Sequence, residues 1–230
     1  MTLVLALRCR EGIVLASDGQ ATSDAAGQPT RAPVRKLFDI GARVAWGAAG
    51  SIGLQQTLHA ELGTLNGHAR EAGQLRRRLA SIVTPLQQAA MRDFVPFAGA
   101  EPPELACLFC WCDASGPRIL SIPRTGSDHQ FHERHAAIGS GDIFAELTVR
   151  SIAHLGSGEL DVEQAKMVAY RAVADAIDVA AVYLGPPIQM YVITDAGAAR
   201  VAQEEIDGAL ADAVDLWRAR QRETLGPLAA

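Results

Sequence analysis

The stretch that decides the fold is residues 2–22, TLVLALRCREGIVLASDGQAT. Two runs rich in β-forming residues, Leu3–Arg8 and Ile13–Asp18, are separated by a short polar link that ends in glycine, which is the pattern of a β-hairpin. If the second strand pairs back on the first, Asp18 returns to within about one or two residues of Thr2. The pattern leaves the register open by one residue, so the face that Asp18 occupies stays open as well.

The rest of the chain is expected to form runs of strands separated by runs of helices. The expected strands are Arg35–Ile40, Arg43–Ala49, Leu105–Cys112, Arg118–Ile122, Ala136–Ser140, Ile188–Thr194 and Ala199–Val201. The expected helices are one that begins at Ser51, then Glu71–Phe94, Ile143–Leu155, Val162–Tyr183 and Glu204–Thr224, with Ser51 and Asp161 as N-caps. The stretch Gly19–Pro33 has the composition of a loop. Segregated runs of this kind favour stacked sheets with helices outside, and 230 residues fit one large domain.

Composition excludes several classes of function. Hydrophobic residues make up 49% of the chain and charged residues 20%, so the chain can bury a sizeable core. The net charge of −5 gives no electrostatic footprint for nucleic acid or for anionic lipid, and we expect neither as a partner. No apolar run approaches the roughly 18 residues that a membrane span needs. Four cysteines without a recognisable secretory signal predict reduced thiols and a cytoplasmic location.

Thr2 is the first residue that points to chemistry. It follows Met1, and a methionine before so small a residue is a target for removal, which would make the threonine the first residue. A threonine hydroxyl is a weak nucleophile unless a base lies beside it, and an N-terminal threonine carries its own base in the α-amine, whose reference pKa is about 7.7–8.0. Position alone favours the simpler explanation that Thr2 is the β-branched start of a strand.

Lys36 lies within an apolar run that is expected to form a strand. A long cationic side chain in such a place needs water or a partner, and Asp18 is the candidate partner. An ammonium group near Thr2 would stabilise the threonine alkoxide and lower the pKa of the α-amine. The alternative interpretation is an edge-strand lysine that discourages aggregation.

Three cysteines at short spacing, Cys107, Cys110 and Cys112, are the strongest sequence candidate for a metal site. In a strand, however, Cys107 lies on the opposite face from the other two, and no second cluster completes a set of four ligands. We therefore expect ordinary core packing, with no metal and no cofactor.

Several spaced stretches together resemble proteasome β-type subunits and their bacterial relatives such as the HslV peptidase, which are N-terminal-nucleophile hydrolases. The resemblance is carried by TLVLALRCREGIVLASDGQAT, VRKLFDI, AAGSIG, AIGSGDIFA and GPPIQMYVI, in that order along the chain. It covers nearly the whole chain. It implies an α+β fold, a four-layer αββα sandwich of two stacked, mainly antiparallel sheets, as a single domain over residues 1–230.

The resemblance assigns a role to five residues. It implies that Thr2 is the nucleophile, with its freed amine as the general base, that Lys36 is the activating cation and that Asp18 is the partner of the lysine. Gly50 matches the glycine whose backbone N–H forms the oxyanion hole, and Ser140 matches the serine that orients the N-terminal amine. The chemistry that these roles imply requires no cofactor.

The resemblance also indicates the first specificity pocket. Its lining is expected to include Ala48, two residues before the oxyanion glycine, with Ala49 beside it and Phe38 as an apolar wall. The small side chain of Ala48 predicts a roomy pocket and cleavage after uncharged, fairly bulky residues.

Four positions depart from the family pattern: Gln20, Ala181, Leu184 and Leu54, the last standing where an aspartate is often found just beyond the Gly50 motif. Gln20 replaces the basic residue that usually follows the first aspartate. Ala181 stands where an aspartate of the active-site network is expected, and Leu184 stands where its serine companion is expected. With two supports of that network replaced, a slow or rearranged enzyme is one expectation.

The expected function is that of a threonine endopeptidase subunit in a self-compartmentalising, proteasome-like ring complex. It would cleave peptides or unfolded proteins through an acyl-enzyme on Thr2, in homo-oligomeric stacked rings, and the resemblance allows for an ATP-dependent unfoldase as a partner. Two alternatives stay open: a catalytically weak or inactive assembly subunit of the same fold, and hydrolysis of a small amide by the same nucleophile chemistry.

Overall fold

The computed structural model describes residues 2–25, 28–65, 72–95, 102–124, 128–153 and 159–226. The strands are β1 (Val4–Cys9), β2 (Gly12–Ser17), β3 (Gln20–Ala25), β4 (Gln28–Pro33), β5 (Leu37–Ile40), β6 (Val44–Gly50), β7 (Leu105–Asp113), β8 (Gly116–Ile122), β9 (Gln130–His132), β10 (His135–Ile138), β11 (Gln189–Thr194) and β12 (Gly197–Arg200). The helices are α1 (Ile52–Leu62), α2 (Ala72–Arg92), α3 (Asp142–Ala153), α4 (Val162–Val179), α5 (Gln203–Glu205) and α6 (Ala211–Leu225).

Two five-stranded antiparallel sheets form the centre of the molecule. The first sheet has the strand order β10-β1-β2-β11-β12, and the second has the order β5-β6-β7-β8-β9. Side chains alternate along each strand, so one face of each sheet meets the other sheet and the opposite face meets helices. Along β1, Val4 and Ala6 pack between the sheets, whereas Leu5 and Leu7 pack against α3 and α4.

The second sheet has the same arrangement on its outer side, where Trp46 of β6 packs with Leu58 of α1 and Leu79 of α2. The layers are therefore helices, sheet, sheet and helices, with an apolar core at each of the three boundaries. The predicted four-layer αββα sandwich is confirmed. Burial of these three cores is the main source of stability, because apolar area removed from water contributes roughly 25 cal/mol per Å².

The predicted N-caps of two helices are confirmed. Ser51 Oγ accepts a hydrogen bond from the Leu54 N–H at the start of α1. Asp161 caps α4 in a reciprocal capping box, accepting from the Gln164 N–H while its own N–H donates to the Gln164 side chain. Caps of this kind stabilise a helix by typically about 1 kcal/mol.

The prediction of a loop over Gly19–Pro33 is wrong. Residues Gln20–Ala25 and Gln28–Pro33 pair with each other as the antiparallel hairpin β3–β4, which forms a sheet of its own. A hairpin outside the main sheets needs no apolar alternation, so the composition that indicated a loop did not reveal it. The hairpin is tied to the chain after α4, because Thr22 Oγ1 donates to the Tyr183 carbonyl at 3.2 Å.

The C-terminal helical segment also differs from the prediction of one helix over Glu204–Thr224. A π-helical turn over Ile206–Leu210 separates α5 from α6. Ile206 and Leu210 are buried against α4, and Gly208, a poor helix former, lies between them. Among the described residues, no helix is both long enough and apolar enough to cross a bilayer.

Candidate active site

The hairpin of β1 and β2 returns Asp18 to the start of the chain. Val4 pairs with Ser17, and the Leu3 N–H donates to Asp18 Oδ1 at 2.9 Å. The Asp18 N–H donates back to the Leu3 carbonyl at 3.3 Å. The register that the sequence left open is thereby fixed, and Asp18 lies opposite the residue that follows Thr2.

The Asp18 carboxylate is fully buried and accepts four hydrogen bonds. Its Oδ1 accepts from Lys36 Nζ at 2.7 Å and from the Leu3 N–H at 2.9 Å. Its Oδ2 accepts from the N–H groups of Gln20 and Gly185 at 3.2 and 3.4 Å. Because backbone groups supply three of the four donors, the fold itself fixes the carboxylate, and the carboxylate in turn fixes the lysine.

Lys36 is almost fully buried, with 3% of its surface exposed. Burial lowers the pKa of its ammonium below the ordinary value, and the charge and hydrogen bond of Asp18 oppose part of that shift. The predicted pairing of Lys36 with Asp18 is present. A side chain buried this deeply does not fit the alternative of a solvated edge-strand lysine.

The turn Gly139-Ser140-Gly141 holds the backbone of Thr2 on both sides. The Thr2 nitrogen donates to Ser140 Oγ at 3.4 Å, and the Gly141 N–H donates to the Thr2 carbonyl at 3.3 Å. Gly139 has a φ of +100°, and a Cβ added there would lie 2.0 Å from the carbonyl oxygen of Thr2. The close approach of Ser140 to Thr2 therefore depends on glycine at position 139.

Gly50 ends β6 at the mouth of the same region. It has a φ of +129°, and a Cβ added there would lie 2.0 Å from the Glu104 carbonyl oxygen. The next residue, Ser51, donates its N–H to that same carbonyl at 2.8 Å. Only glycine fits this backbone conformation and this close approach.

We therefore expect Gly50→Ala to lower the free energy of unfolding by about 2–5 kcal/mol, from backbone strain plus the clash with Glu104. The matched control is Gly53→Ala in α1, where the nearest atom to an added Cβ is Ser51 Oγ at 3.8 Å. The control is expected to change the free energy of unfolding by no more than about 1 kcal/mol. Urea unfolding of the two variants measures the difference, and equal stabilities would contradict this interpretation of Gly50.

A cavity of about 260 Å³ brings together four of the five residues that have a predicted catalytic role: Thr2, Lys36, Gly50 and Ser140 all line it. Asp18 lies behind Lys36, fully buried. A hydroxyl that could act as a nucleophile, a cation, a glycine backbone and a second hydroxyl thus share one site, and groups of these kinds are candidates for acyl-transfer chemistry.

The structure does not bring two of the three predicted pocket residues to this cavity. Ala49 lines it, but Ala48 is buried in the core beneath α1. Phe38 packs on that same side, with ring centroids 4.9 Å from Trp46 and 4.5 Å from His59. The physical reason is strand alternation: neighbouring residues of β6 point to opposite faces, so Ala48 and Ala49 cannot face the same space.

Sequence reasoning missed most of the remaining lining, which is Ala21, Thr22, Val34, Ile52, Gln55, Glu104 and Arg124. Glu104 and Arg124 form an ion pair at 2.7 Å on one wall. Gln55 is nearly buried, and its Nε2 has no hydrogen-bond partner among the described residues. These residues come from five separate segments, and no sequence pattern marks them. The cavity wall is accordingly more polar than the expected pocket.

One of the departures from the family pattern, Leu184, lies close to the Ser140 turn. Leu184 is buried, and its Cδ1 lies 2.8 Å from where a Cβ on Gly141 would be, so it fills the space behind the turn. Ala181 is exposed in the turn after α4. Gln20 donates from Nε2 to Thr22 Oγ1 at 3.2 Å. An apolar contact thus stands where a polar network was expected.

The described residues contain no group of three or more His, Cys, Asp or Glu side chains placed to hold a metal ion. Cys107 packs towards the helices and Cys110 between the sheets, on opposite faces of β7 as predicted. Burial raises the pKa of Cys112 to about 12, so its thiol stays protonated at neutral pH. These cysteines pack in the core as small apolar side chains.

Comparison with known proteins relates the chain to one family. A family model described as "Proteasome subunit" matches residues 2–193. The chain is 30% identical over 224 residues to "Proteasome subunit beta" of Stackebrandtia nassauensis, across 90% of this chain and 75% of that protein. It is 28% identical over 247 residues to "Proteasome subunit beta" of Mycobacterium sp. strain KMS, across 98% of this chain and 75% of that protein. The chain therefore belongs to the proteasome subunit family.

Proposed function

We propose that the chain is a threonine endopeptidase subunit whose nucleophile is Thr2 after removal of Met1. The observation that carries this proposal is the meeting of Thr2, Lys36, Gly50 and Ser140 in one cavity, with Asp18 buried behind the lysine. The family assignment supports the same activity, since its relatives are named proteasome subunit beta.

In the proposed reaction, the free α-amine of Thr2 takes the proton of the Thr2 hydroxyl as Oγ1 attacks the substrate carbonyl carbon. The Gly50 N–H stabilises the oxyanion of the tetrahedral intermediate. Collapse breaks the peptide C–N bond, and the amine returns its proton to the leaving nitrogen. Water then attacks the resulting ester on Thr2, with the same amine as base, and releases the acid product.

Lys36 supports this chemistry through its charge. Its ammonium favours the alkoxide of Thr2 and disfavours protonation of the neighbouring amine, because like charges repel. Asp18 keeps the ammonium in place, and Ser140 holds the Thr2 nitrogen. The lysine is thus an electrostatic group in this proposal, and the amine is the base.

The proposal predicts a bell-shaped dependence of kcat/KM on pH. On the acid side activity rises as the Thr2 amine, whose reference pKa is about 7.7–8.0, loses its proton. On the alkaline side activity falls as Lys36 loses its charge, at a pH below 10.5 because burial lowers the pKa of this lysine. Initial rates with an uncharged fluorogenic peptide measure both limbs. A profile that stays flat into the range of ordinary lysine titration would contradict the role of Lys36.

We also propose that copies of this chain assemble into stacked rings that enclose the site, with peptides or unfolded proteins as substrates. Ile143 and Leu147, one turn apart on α3, are each 59% exposed, and apolar side chains so placed support a subunit contact. An ATP-dependent unfoldase and a cytoplasmic location stay predictions.

A second candidate function is that of an inactive assembly subunit. The observation in its favour is the apolar packing of Leu184 behind Ser140, where the family pattern has a polar network. Such a subunit would keep the fold and the assembly but would not process peptides.

One preparation of the purified full-length chain distinguishes the candidates. We expect an intact mass lower by one methionine residue, a large assembly by light scattering, and turnover of neutral fluorogenic peptides. An assembled particle that retains Met1 and turns over no peptide would overturn the proposal in favour of the assembly subunit. A monomer or dimer without peptide turnover would favour hydrolysis of a small amide.

A further inference from the structure

The segment that carries Lys36 belongs to no strand. β4 ends at Pro33 and β5 begins at Leu37, so residues 34–36 connect the β3–β4 hairpin to the second sheet. Buried backbone N–H and C=O groups in such a connection need hydrogen-bond partners from elsewhere in the molecule. The Val34 N–H donates to the Gly19 carbonyl at 2.8 Å. The side chain of Gln189, from the other sheet, supplies partners for the Val34 carbonyl and for the N–H groups of Lys36 and Leu37.

Gln189 is the first residue of β11 and is only 4% exposed. Its Oε1 accepts from the Lys36 N–H at 3.0 Å and from the Leu37 N–H at 3.4 Å. Its Nε2 donates to the Val34 carbonyl at 2.5 Å. If Oε1 and Nε2 of Gln189 were exchanged, the amide nitrogen would face two N–H donors and the amide oxygen would face a carbonyl oxygen. The hydrogen-bond pattern therefore fixes the orientation of this side chain.

The two anchors of Lys36 are adjacent in the first sheet. Gln189 pairs with Ser17, the last residue of β2, and Asp18 directly follows that strand. Gln189 thus holds the backbone of the lysine while Asp18 holds its ammonium. Together they define where the cation lies relative to the cavity.

Tyr191, the next β11 residue on the same face, extends this contact along the second sheet. Its hydroxyl accepts from Arg35 at 2.9 Å and donates to Asp39 at 3.0 Å. Arg35, which precedes Lys36, and Asp39, three residues after it, are therefore also hydrogen-bonded to β11. Gln189 is nevertheless the contact that reaches the Lys36 backbone itself.

We propose that Gln189 is a positioning residue for Lys36: its amide fixes residues 34–37 against the first sheet and so sets the place of the cation in the reaction at Thr2. This inference rests on the proposed function. A misplacement of about 1 Å in a catalytic group costs on the order of 10²-fold in rate, so loss of this contact should be visible in acylation.

The test is Gln189→Met, which has a similar length and volume but no hydrogen bonds. We expect acylation by a peptide β-lactone, per assembled subunit, to slow by about 10- to 100-fold. We expect KM to change by less than about threefold, because Gln189 does not line the cavity. The alkaline limb of the pH profile should move upward, since a loosened Lys36 is better hydrated and closer to its ordinary pKa.

The matched control is Gln87→Met. Gln87 is also buried, at 3% exposure, and its Nε2 donates to the carbonyls of Leu105 and Pro123 at 2.6 and 2.8 Å. This variant loses comparable hydrogen bonds at a place that does not touch Lys36. A merely structural role for Gln189 would make the two variants alike in acylation rate and in pH profile.

Hydrogen exchange gives a readout that is independent of activity. The Lys36 and Leu37 amides should exchange faster in Gln189→Met than in the parent and should be unchanged in Gln87→Met. If Gln189→Met does not assemble, Gln189→Leu serves in its place with the same expected results, since it also removes the acceptor for both amides and the donor to Val34 and adds no charge. The inference would be overturned if the Gln189 variant kept the alkaline limb of the parent's pH profile and also kept the parent's exchange rates at the Lys36 and Leu37 amides. Failure of the proposed function appears separately, as peptide turnover by a Thr2→Ala particle.

Discussion

Replacing Thr2 by alanine is expected to reduce peptide turnover by about 10³-fold or more, because it removes the nucleophile while the α-amine remains. The structural cost is expected to be small, within about 1 kcal/mol in the free energy of unfolding. The contacts that hold residue 2, from its nitrogen to Ser140 and from the Gly141 N–H to its carbonyl, involve only its backbone. Assembly should therefore be unchanged.

The companion variant is Thr2→Ser, which keeps a hydroxyl and an amine on one residue. We expect it to retain measurable turnover in the same fluorogenic assay, so the pair separates loss of the nucleophile from loss of the side chain. Equal turnover by the parent and the alanine variant would mean that another group performs the attack.

The second large effect is expected from Lys36→Met. Loss of the cation should slow acylation by about 10²- to 10⁴-fold, the range that a single preorganised group at a reacting centre contributes. The variant should also be less stable, by up to about 3–5 kcal/mol, because it leaves the buried Asp18 without its charged partner. The three backbone donors that Asp18 keeps reduce that cost.

Two further variants separate the catalytic role of Lys36 from its structural role. Lys36→Met combined with Asp18→Asn removes the unpaired charge, and it should regain stability without regaining acylation. Lys166→Met removes the other buried lysine, which bonds Glu163 and Glu205 at 2.8 and 2.5 Å. It should lose stability but keep the acylation rate per assembled subunit. The catalytic role of Lys36 would be excluded if the free energy of unfolding and the acylation rate fell in parallel in Lys36→Met, in the double variant and in Lys166→Met.

The parts of the fold that the sequence could predict are those with local signals. The β1–β2 hairpin has two apolar runs and a glycine link, and the caps Ser51 and Asp161 each precede a run with helical periodicity. The β3–β4 hairpin has no such signal, because it packs as a small sheet of its own. Patterning predicts elements whose apolar residues alternate or repeat along the chain, and the sequences of β3 and β4 lack that periodicity.

The candidate site shows the same limit. Thr2, Asp18 and Lys36 each have a local signal: Thr2 follows Met1, Asp18 ends the returning run of the first hairpin, and Lys36 interrupts an apolar run. Gln189 contacts Lys36 across 153 residues of sequence, and a glutamine opening an apolar strand has no pattern that indicates a partner. Such contacts follow from how the two sheets stack, which no local signal specifies.

The residues that line the cavity could also not be predicted from the sequence. Ala48 and Ala49 are adjacent, and which of them faces the cavity depends on which set of alternate β6 residues points to that side of the sheet. A shift of one residue reverses every face of a strand, so a motif placed correctly along the chain still leaves the direction of its side chains open. The Glu104–Arg124 wall comes from segments that only the fold brings together.

The most direct measurement is to map where a peptide β-lactone attaches to the assembled particle, by tandem mass spectrometry of the proteolysed adduct. We expect one acyl group per reactive subunit, on the hydroxyl of Thr2, in a peptide that no longer carries Met1. An adduct on any other residue, or steady peptide turnover by particles that retain Met1 and acquire no adduct, would contradict the central claim.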